Sequence, residues 1–137
     1  PAGCERVRQG FTLIEMLIVM VILGILTAIA MPQLAKVRER GYFKAMTSDM
    51  RNLMTQQEIY YANPAYQTYA SNVAAIANFQ RSPGVTVVIT EAGFTGWAAT
   101  SAHTGLTAAQ MCAVYVGNVV TVPAPATQSG TVTCTGE

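Results

Sequence analysis

The sequence predicts an α+β fold: one long N-terminal helix, apolar in its first half and amphipathic in its second, packed on a small antiparallel sheet. Three observations carry this expectation. Residues 16–35 contain no charged side chain. The apolar residues of the following stretch then recur at helical spacing. Beyond residue 84, short β-branched runs alternate with turn residues. The chain has 137 residues, of which 51% are hydrophobic and 11% charged, with a formal net charge of +1. That length accommodates one domain, or a small domain plus one extra element. The composition excludes a disordered, collagen-like or strongly basic nucleic-acid-binding chain. Seven of the eight Lys and Arg residues lie between Arg6 and Arg51, and after Arg81 only Glu91 and Glu137 are charged. A surface so poor in charge points to packing against copies of itself.

The first element is the apolar run. About 20 residues at about 1.5 Å rise cross a hydrocarbon core of about 30 Å. The run is Leu, Ile, Val, Met and Ala on every side, as a lipid-facing helix requires. A signal peptide is the competing reading, with Ala28-Ile29-Ala30 as its cleavage site. The run before that site is long for such a peptide, and the segment continues through Pro32. Gly24 costs about 1 kcal/mol relative to Ala in a helix, and Pro32 about 3 kcal/mol. In the isolated chain these imply a mild kink at Pro32; they also make residues 24–32 a weak section, able to extend when the surroundings change. Glu15 sits at the edge of the run. A carboxylate at membrane depth costs about 2.5–3.5 kcal/mol, and such groups have a designated partner. No Lys or Arg lies within one helical turn of it; the nearest is Arg8.

After Pro32 the pattern turns amphipathic. Phe43, Met46, Met50, Leu53 and Tyr60 mark one helical stripe, with Lys44, Arg51 and Glu58 off it. Asn63-Pro64 stops the helix. From Phe11 to about Ala62 it would measure roughly 75–80 Å. The basic cluster of Lys36, Arg38, Arg40 and Lys44 reads as a solvated face or a lipid-headgroup contact rather than a sequence-specific nucleic-acid patch. Residues 63–84 read as an irregular connection anchored by Tyr66, Tyr69, Val73, Ile76 and Phe79. Strands follow at 85–90, 94–102, 112–116 and 131–134; Gly93 and Gly96 give bends at the second, a turn at 103–105 leads to the third, and a Pro/Ala/Gly-rich link at 123–130 precedes the fourth.

Residues 10–15, Gly-Phe-Thr-Leu-Ile-Glu, ahead of an apolar run and Pro32, closely resemble the processing site and N-terminal helix of type IV pilins and type II secretion pseudopilins. The resemblance is close over about the first 50 residues and follows the general layout beyond. It implies a leader of residues 1–10, a membrane-spanning and filament-core half at 11–35, an amphipathic half at 36–62, and a β-sheet head at 63–137. A prepilin peptidase then cuts between Gly10 and Phe11 and methylates the Phe11 amine. Glu15 pairs with the Phe11 amine of a neighbouring subunit, which makes it an assembly gauge. The partners implied are further copies of the chain in a helical filament, the inner membrane as the precursor's home, and the assembly platform and motor. The end point is an extracellular filament or a periplasmic pseudopilus. The charges flanking the apolar run, taken alone, would place the C-terminus in the cytoplasm; the motif and the cysteine pair point the other way.

Cys112 and Cys134 read either as a bridge or as two buried thiols. A bridge over 22 residues is worth about 3 kcal/mol in the chain-entropy model and would staple a weakly anchored tail. Pilins commonly carry such a C-terminal disulfide loop. Cys4 stands alone at the other end.

The sequence offers no catalytic constellation. His103 and Asp49 are the single His and Asp of the chain and fall on different elements. No Cys/His spacing suits a metal, and no glycine-rich loop follows a strand. No cofactor and no enzymatic activity are expected, and Trp97, the tyrosines and the methionines are assigned to the core or to subunit contacts. After Arg81 the carboxylates are too few for the calcium loop of major secretion pseudopilins, which favours a pilus subunit over a secretion or DNA-uptake pseudopilin. A membrane-anchored binding domain that never polymerises is the reading from another class.

Overall fold

The computed structural model describes residues 10–136. Cys4, Arg6, Arg8 and most of the expected leader lie outside the described residues. The chain divides into two compact units at Val37 and Arg38. Helix α1, Leu13–Ala62, contributes to both. The element order is α1, a 3-10 turn at Val73–Ala75, β1 (Val85–Ala92), β2 (Gly96–His103), β3 (Met111–Gly117) and β4 (Thr133–Cys134). The four strands form one antiparallel sheet in sequence order. This is the α+β architecture that the apolar and β-branched runs predict. The expected fourth strand at 131–134 shortens to Thr133–Cys134, and β1 and β3 each extend beyond their β-branched cores.

In the unit from Arg38 onward, the helical stripe meets the sheet. Met46, Met50 and Leu53 are fully buried, Phe43 nearly so, and Tyr60 packs at the margin. They face Val85, Val87 and Ile89 of β1, Trp97 and Ala99 of β2, and Cys112 and Val114 of β3. The period of two along each strand and of 3.6 along the helix places these residues on facing surfaces. Two polar residues share the buried stripe. Gln57 is fully buried and grips a single residue of the following connection: its side-chain amide donates to Ala70 C=O at 2.9 Å and accepts from Ala70 N–H at 2.8 Å. Asp49 accepts from the Ser82 N–H at 2.7 Å and its hydroxyl at 2.8 Å. The connection at 63–84 is therefore latched near its start and its end. Ile76 and Phe79 are buried anchors as expected, and Ala70 joins them. Tyr66 corrects the expectation. It is 49% exposed and lies flat on Tyr60, ring centroids 4.4 Å apart, so it packs on the helix and not in the core.

The sheet has two distinct ends. At one, Ala92 pairs with Trp97 and Gly96 with Gly117. Here the chain passes so closely that a Cβ on Gly117 would lie 2.2 Å from the Thr95 carbonyl, and Gly117 has φ of 73°. Only glycine suits that approach. At the other end Val85 pairs with His103 and Met111 with Ala102. There His103 stacks on Tyr42 of α1, with ring centroids 4.0 Å apart, and its Nδ1 accepts the Gly105 N–H at 2.9 Å. The turn expected at 103–105 thus carries a half-buried ring. Near the first end Tyr69 donates to Glu58 at 3.2 Å. Burial together with that carboxylate raises the Tyr69 pKa above its ordinary value of 10.0.

Cys112 and Cys134 stand opposite each other in the β3–β4 pairing and are joined by a disulfide. Because β4 has two residues, the bridge is the principal tie of the C-terminal tail to the core, assisted by Thr135 N–H to Met111 C=O at 2.9 Å.

Two outcomes follow for the full chain in detergent. Cys112→Ala/Cys134→Ala should lose about 3 kcal/mol in urea unfolding, with amide exchange rising first around Thr133. Gln57→Leu should cost about 1–3 kcal/mol by leaving the buried Ala70 amide and carbonyl unpaired, and its amide-exchange signature should centre on Ala70.

Candidate functional site

The unit up to Val37 is built differently from the head. Every described residue from Gly10 to Arg38 is exposed, including Phe11 at 79% and Leu13 at 83%. The helix here is long and apolar enough to cross a membrane. An aliphatic side chain kept in water forgoes about 1.5–3 kcal/mol of burial. A handful of such residues equals the whole stability of a typical domain, about 5–15 kcal/mol. This surface therefore demands a cover that the described residues do not supply to it.

The helix start is a capping box. Thr12 Oγ1 accepts the Glu15 N–H at 3.3 Å, while the Glu15 carboxylate accepts from the Thr12 N–H at 2.8 Å and from the Thr12 hydroxyl at 2.9 Å. The reciprocal pairing satisfies amide donors that the first helical turn leaves open. The charge pattern around Glu15 points to a missing cation and passes over Thr12, although a Thr followed three residues later by Glu is the capping signature. The cap satisfies hydrogen bonds without cancelling the charge.

Further along, Gly24 and Pro32 both lie inside α1, which runs on through them. The one hydroxyl of the apolar run is also satisfied: Thr27 donates to the Leu23 carbonyl at 2.7 Å. That back-bond closes on the turn containing Gly24, the position with least side-chain support. Gly10 and Phe11 immediately precede the helix and are open to solvent. Gly10, Phe11, Glu15 and the apolar helix thus occupy one continuous exposed stretch, whereas Cys112 and Cys134 are buried in the head.

The two residues that a nucleophilic site would have required are occupied separately. Asp49 is committed to Ser82, and His103 to Tyr42 and Gly105. Among the described residues, no three His, Cys, Asp or Glu side chains converge in a way that could hold a metal ion.

Residues 6–31 match the prokaryotic N-terminal methylation motif. The chain is 33% identical over 103 residues to the type IV wide pilus major component of Thermus thermophilus, covering 73% of this chain and 77% of that protein. It is 32% identical over 80 residues to the type II secretion system core protein G of Dickeya chrysanthemi, covering 58% and 52% of the two chains. With the type IV major pilin of Myxococcus xanthus it shares 35% over 67 residues, 48% of this chain and 30% of that one. A methylation motif on an exposed apolar helix, a disulfide-stapled antiparallel head and a match over most of a pilus component agree with one another: the chain belongs to the type IV pilin and pseudopilin family.

Proposed function

We propose that this chain is the structural, non-catalytic subunit of a type IV pilus. The observation that carries the proposal is the exposed apolar helix directly behind Gly10 and Phe11, a surface that lipid covers first and sister helices cover afterwards. On this reading residues 1–10 are a leader, and residues 11–35 hold the precursor in the inner membrane. A prepilin peptidase cuts between Gly10 and Phe11 and methylates the new amine. The assembly platform and motor then draw the subunit into a helical homopolymer on the cell surface. Residues 36–62 carry the head, residues 63–137.

Glu15 has the register role. In lipid its cap on Thr12 leaves a net charge behind, and an uncompensated charge in an apolar setting costs several kcal/mol. The amine created on Phe11 is the cation that the sequence lacks. A neighbouring subunit that supplies it lowers the energy only when the helices meet in one axial position. Association among the helices then rests on packing, since lipid tails are as apolar as Leu and Ile.

The similarity to a secretion core protein supports a second reading, a periplasmic pseudopilus subunit. Against it stands the shortage of carboxylates after Arg81, where Glu91 alone precedes the terminal Glu137. A membrane-anchored domain that never polymerises is separated by shearing cells: only a pilus subunit appears in long released filaments.

Glu15→Ala should leave the precursor abundant and cut, with a methyl group on Phe11 by mass spectrometry, while sheared filaments fall about tenfold or more. Normal filament yield from this variant would remove the register role. The weak section from Gly24 to Pro32 should lose its helical hydrogen bonds in the filament; a filament map with unbroken helix there excludes that extension.

A further inference from the structure

The C-terminal end of α1 and the connection after it enclose a pocket that the assembly reading leaves unused. Its volume is about 230 Å³, and Gln56, Tyr60, Asn63, Tyr66, Ile76 and Asn78 are among its nine lining residues. None of the nine is charged. Both walls are hydrogen-bonded turns. On one side Asn63 C=O accepts the Tyr66 N–H at 3.0 Å and the Gln67 N–H at 3.3 Å, and Asn63 Oδ1 accepts the Ala65 N–H at 3.0 Å. This turn sets the Tyr66 ring parallel to Tyr60, with an interplanar angle of 4°. On the other side Asn72 caps the 3-10 turn by accepting the Ala75 N–H at 2.9 Å, and Phe79 N–H donates to Ile76 C=O at 3.1 Å. Ile76 itself is a buried anchor. The polar groups of the lining are uncommitted. Among the described residues nothing partners the hydroxyls of Tyr60 and Tyr66 or the side-chain amides of Gln56 and Asn78.

We infer that this pocket binds an uncharged saccharide. One pyranose ring sets its C–H surface on Tyr60, Tyr66 and Ile76, and its hydroxyls bond the amides of Gln56, Asn63 and Asn78. Four features select this ligand class. A charged ligand would shed its hydration and meet no counter-charge in the lining. The volume falls below the roughly 300–1,000 Å³ of sites for drug-sized molecules, so it takes one ring and not an extended chain. A planar base has no slot to enter, because the two tyrosine rings already stack on each other at 4.4 Å. Amide and phenol groups each offer donors and acceptors, and a sugar hydroxyl both donates and accepts. The apolar body and polar tip of tyrosine match a ring that is greasy on its face and wet at its rim. Walls already fixed by their own hydrogen bonds lose little freedom when the ligand arrives. The site belongs to the head alone and does not depend on polymerisation.

The test titrates the full chain in dodecylphosphocholine micelles, a detergent without a sugar headgroup, and follows backbone amide shifts. The probes are methyl β-D-glucopyranoside, methyl β-D-galactopyranoside and the methyl glycoside of glucuronic acid. At least one neutral glycoside should shift Tyr66 and Asn78 saturably, with a midpoint of about 1 mM, the scale for a ligand of about a dozen heavy atoms. The glucuronide, which adds a carboxylate to the same ring, should bind at least about tenfold more weakly. Tyr66→Ala and Asn78→Ala, both at exposed positions, should leave the thermal midpoint unchanged and weaken binding about tenfold. If Tyr66→Ala lowers the midpoint, Asn78→Ala alone decides. The site is overturned if neither neutral glycoside shifts these amides at about ten times that concentration. Shifts that survive both substitutions, or a glucuronide that binds as well as the neutral sugars, overturn it equally. Exchange protection of Tyr66 and Asn78 in sheared filaments, with no glycoside bound by the dispersed chain, overturns it and assigns the pocket to a contact between copies.

Discussion

An apolar helix that the described residues leave uncovered is the constraint on which everything else depends. From Gly10 to Arg38 every residue is exposed. Burial in water-soluble form is not open to such a surface, because the apolar area it exposes outweighs the margin that keeps a domain folded. The remaining covers are lipid and other helices of the same kind. A chain living under this constraint needs a head that is stable without help from the first half of its helix. On the proposed filament reading it also needs a device that lets the helix leave lipid at a defined position.

The head meets the first need with few residues. Its core is one helical stripe against one face of a four-stranded sheet. That is little apolar area, so covalent and polar ties matter more than they would in a larger domain. The disulfide secures a strand of two residues that backbone pairing alone would hold weakly. Gln57 and Asp49 hold a 63–84 connection that has only a single 3-10 turn of its own. Each latch uses a buried side chain to imitate the pairing that a strand partner would provide. An apolar residue in either place would leave backbone amides without partners, which costs more than a well-made bond returns. The helix stripe therefore carries polar residues at the two points where the loop must be fastened, and apolar ones elsewhere.

Much of this architecture is legible in the order of the residues alone. Periodicity separates the halves of α1 because a lipid-facing surface is apolar all round, while a sheet-facing one is apolar on a stripe. β1 and β3 are legible because β-branched runs bounded by glycine have few alternatives. What escapes are features that depend on a distant partner. Gln57 reads as an ordinary helix residue until Ala70 is brought against it. Tyr42 and His103 lie far apart in sequence and meet only through the turn after β2. Tyr66 looks like a core residue by type, yet stacks on Tyr60 at the surface. Thr12 is a different case: its signal is local, and the charge problem at Glu15 masks a hydrogen-bond motif.

That distinction between charge and hydrogen bonding bears on the proposed register device. The Thr12–Glu15 cap places two hydrogen bonds on Glu15 Oε2, so Glu15 is not a hydrogen-bonding orphan. A cap is neutral, however, and cannot offset the cost of an ion in hydrocarbon. Cleavage after Gly10 would add a cation one residue before Thr12 without removing the Thr12 N–H. The cap and a new ion pair are therefore compatible: the cap aims the carboxylate back along the helix axis toward its own N-terminus, and the pair neutralises it. An acid already held in that orientation loses less side-chain freedom when a neighbour's amine arrives. On this account Thr12 belongs to the assembly device as much as Glu15 does, as the residue that sets the direction from which the missing charge must come.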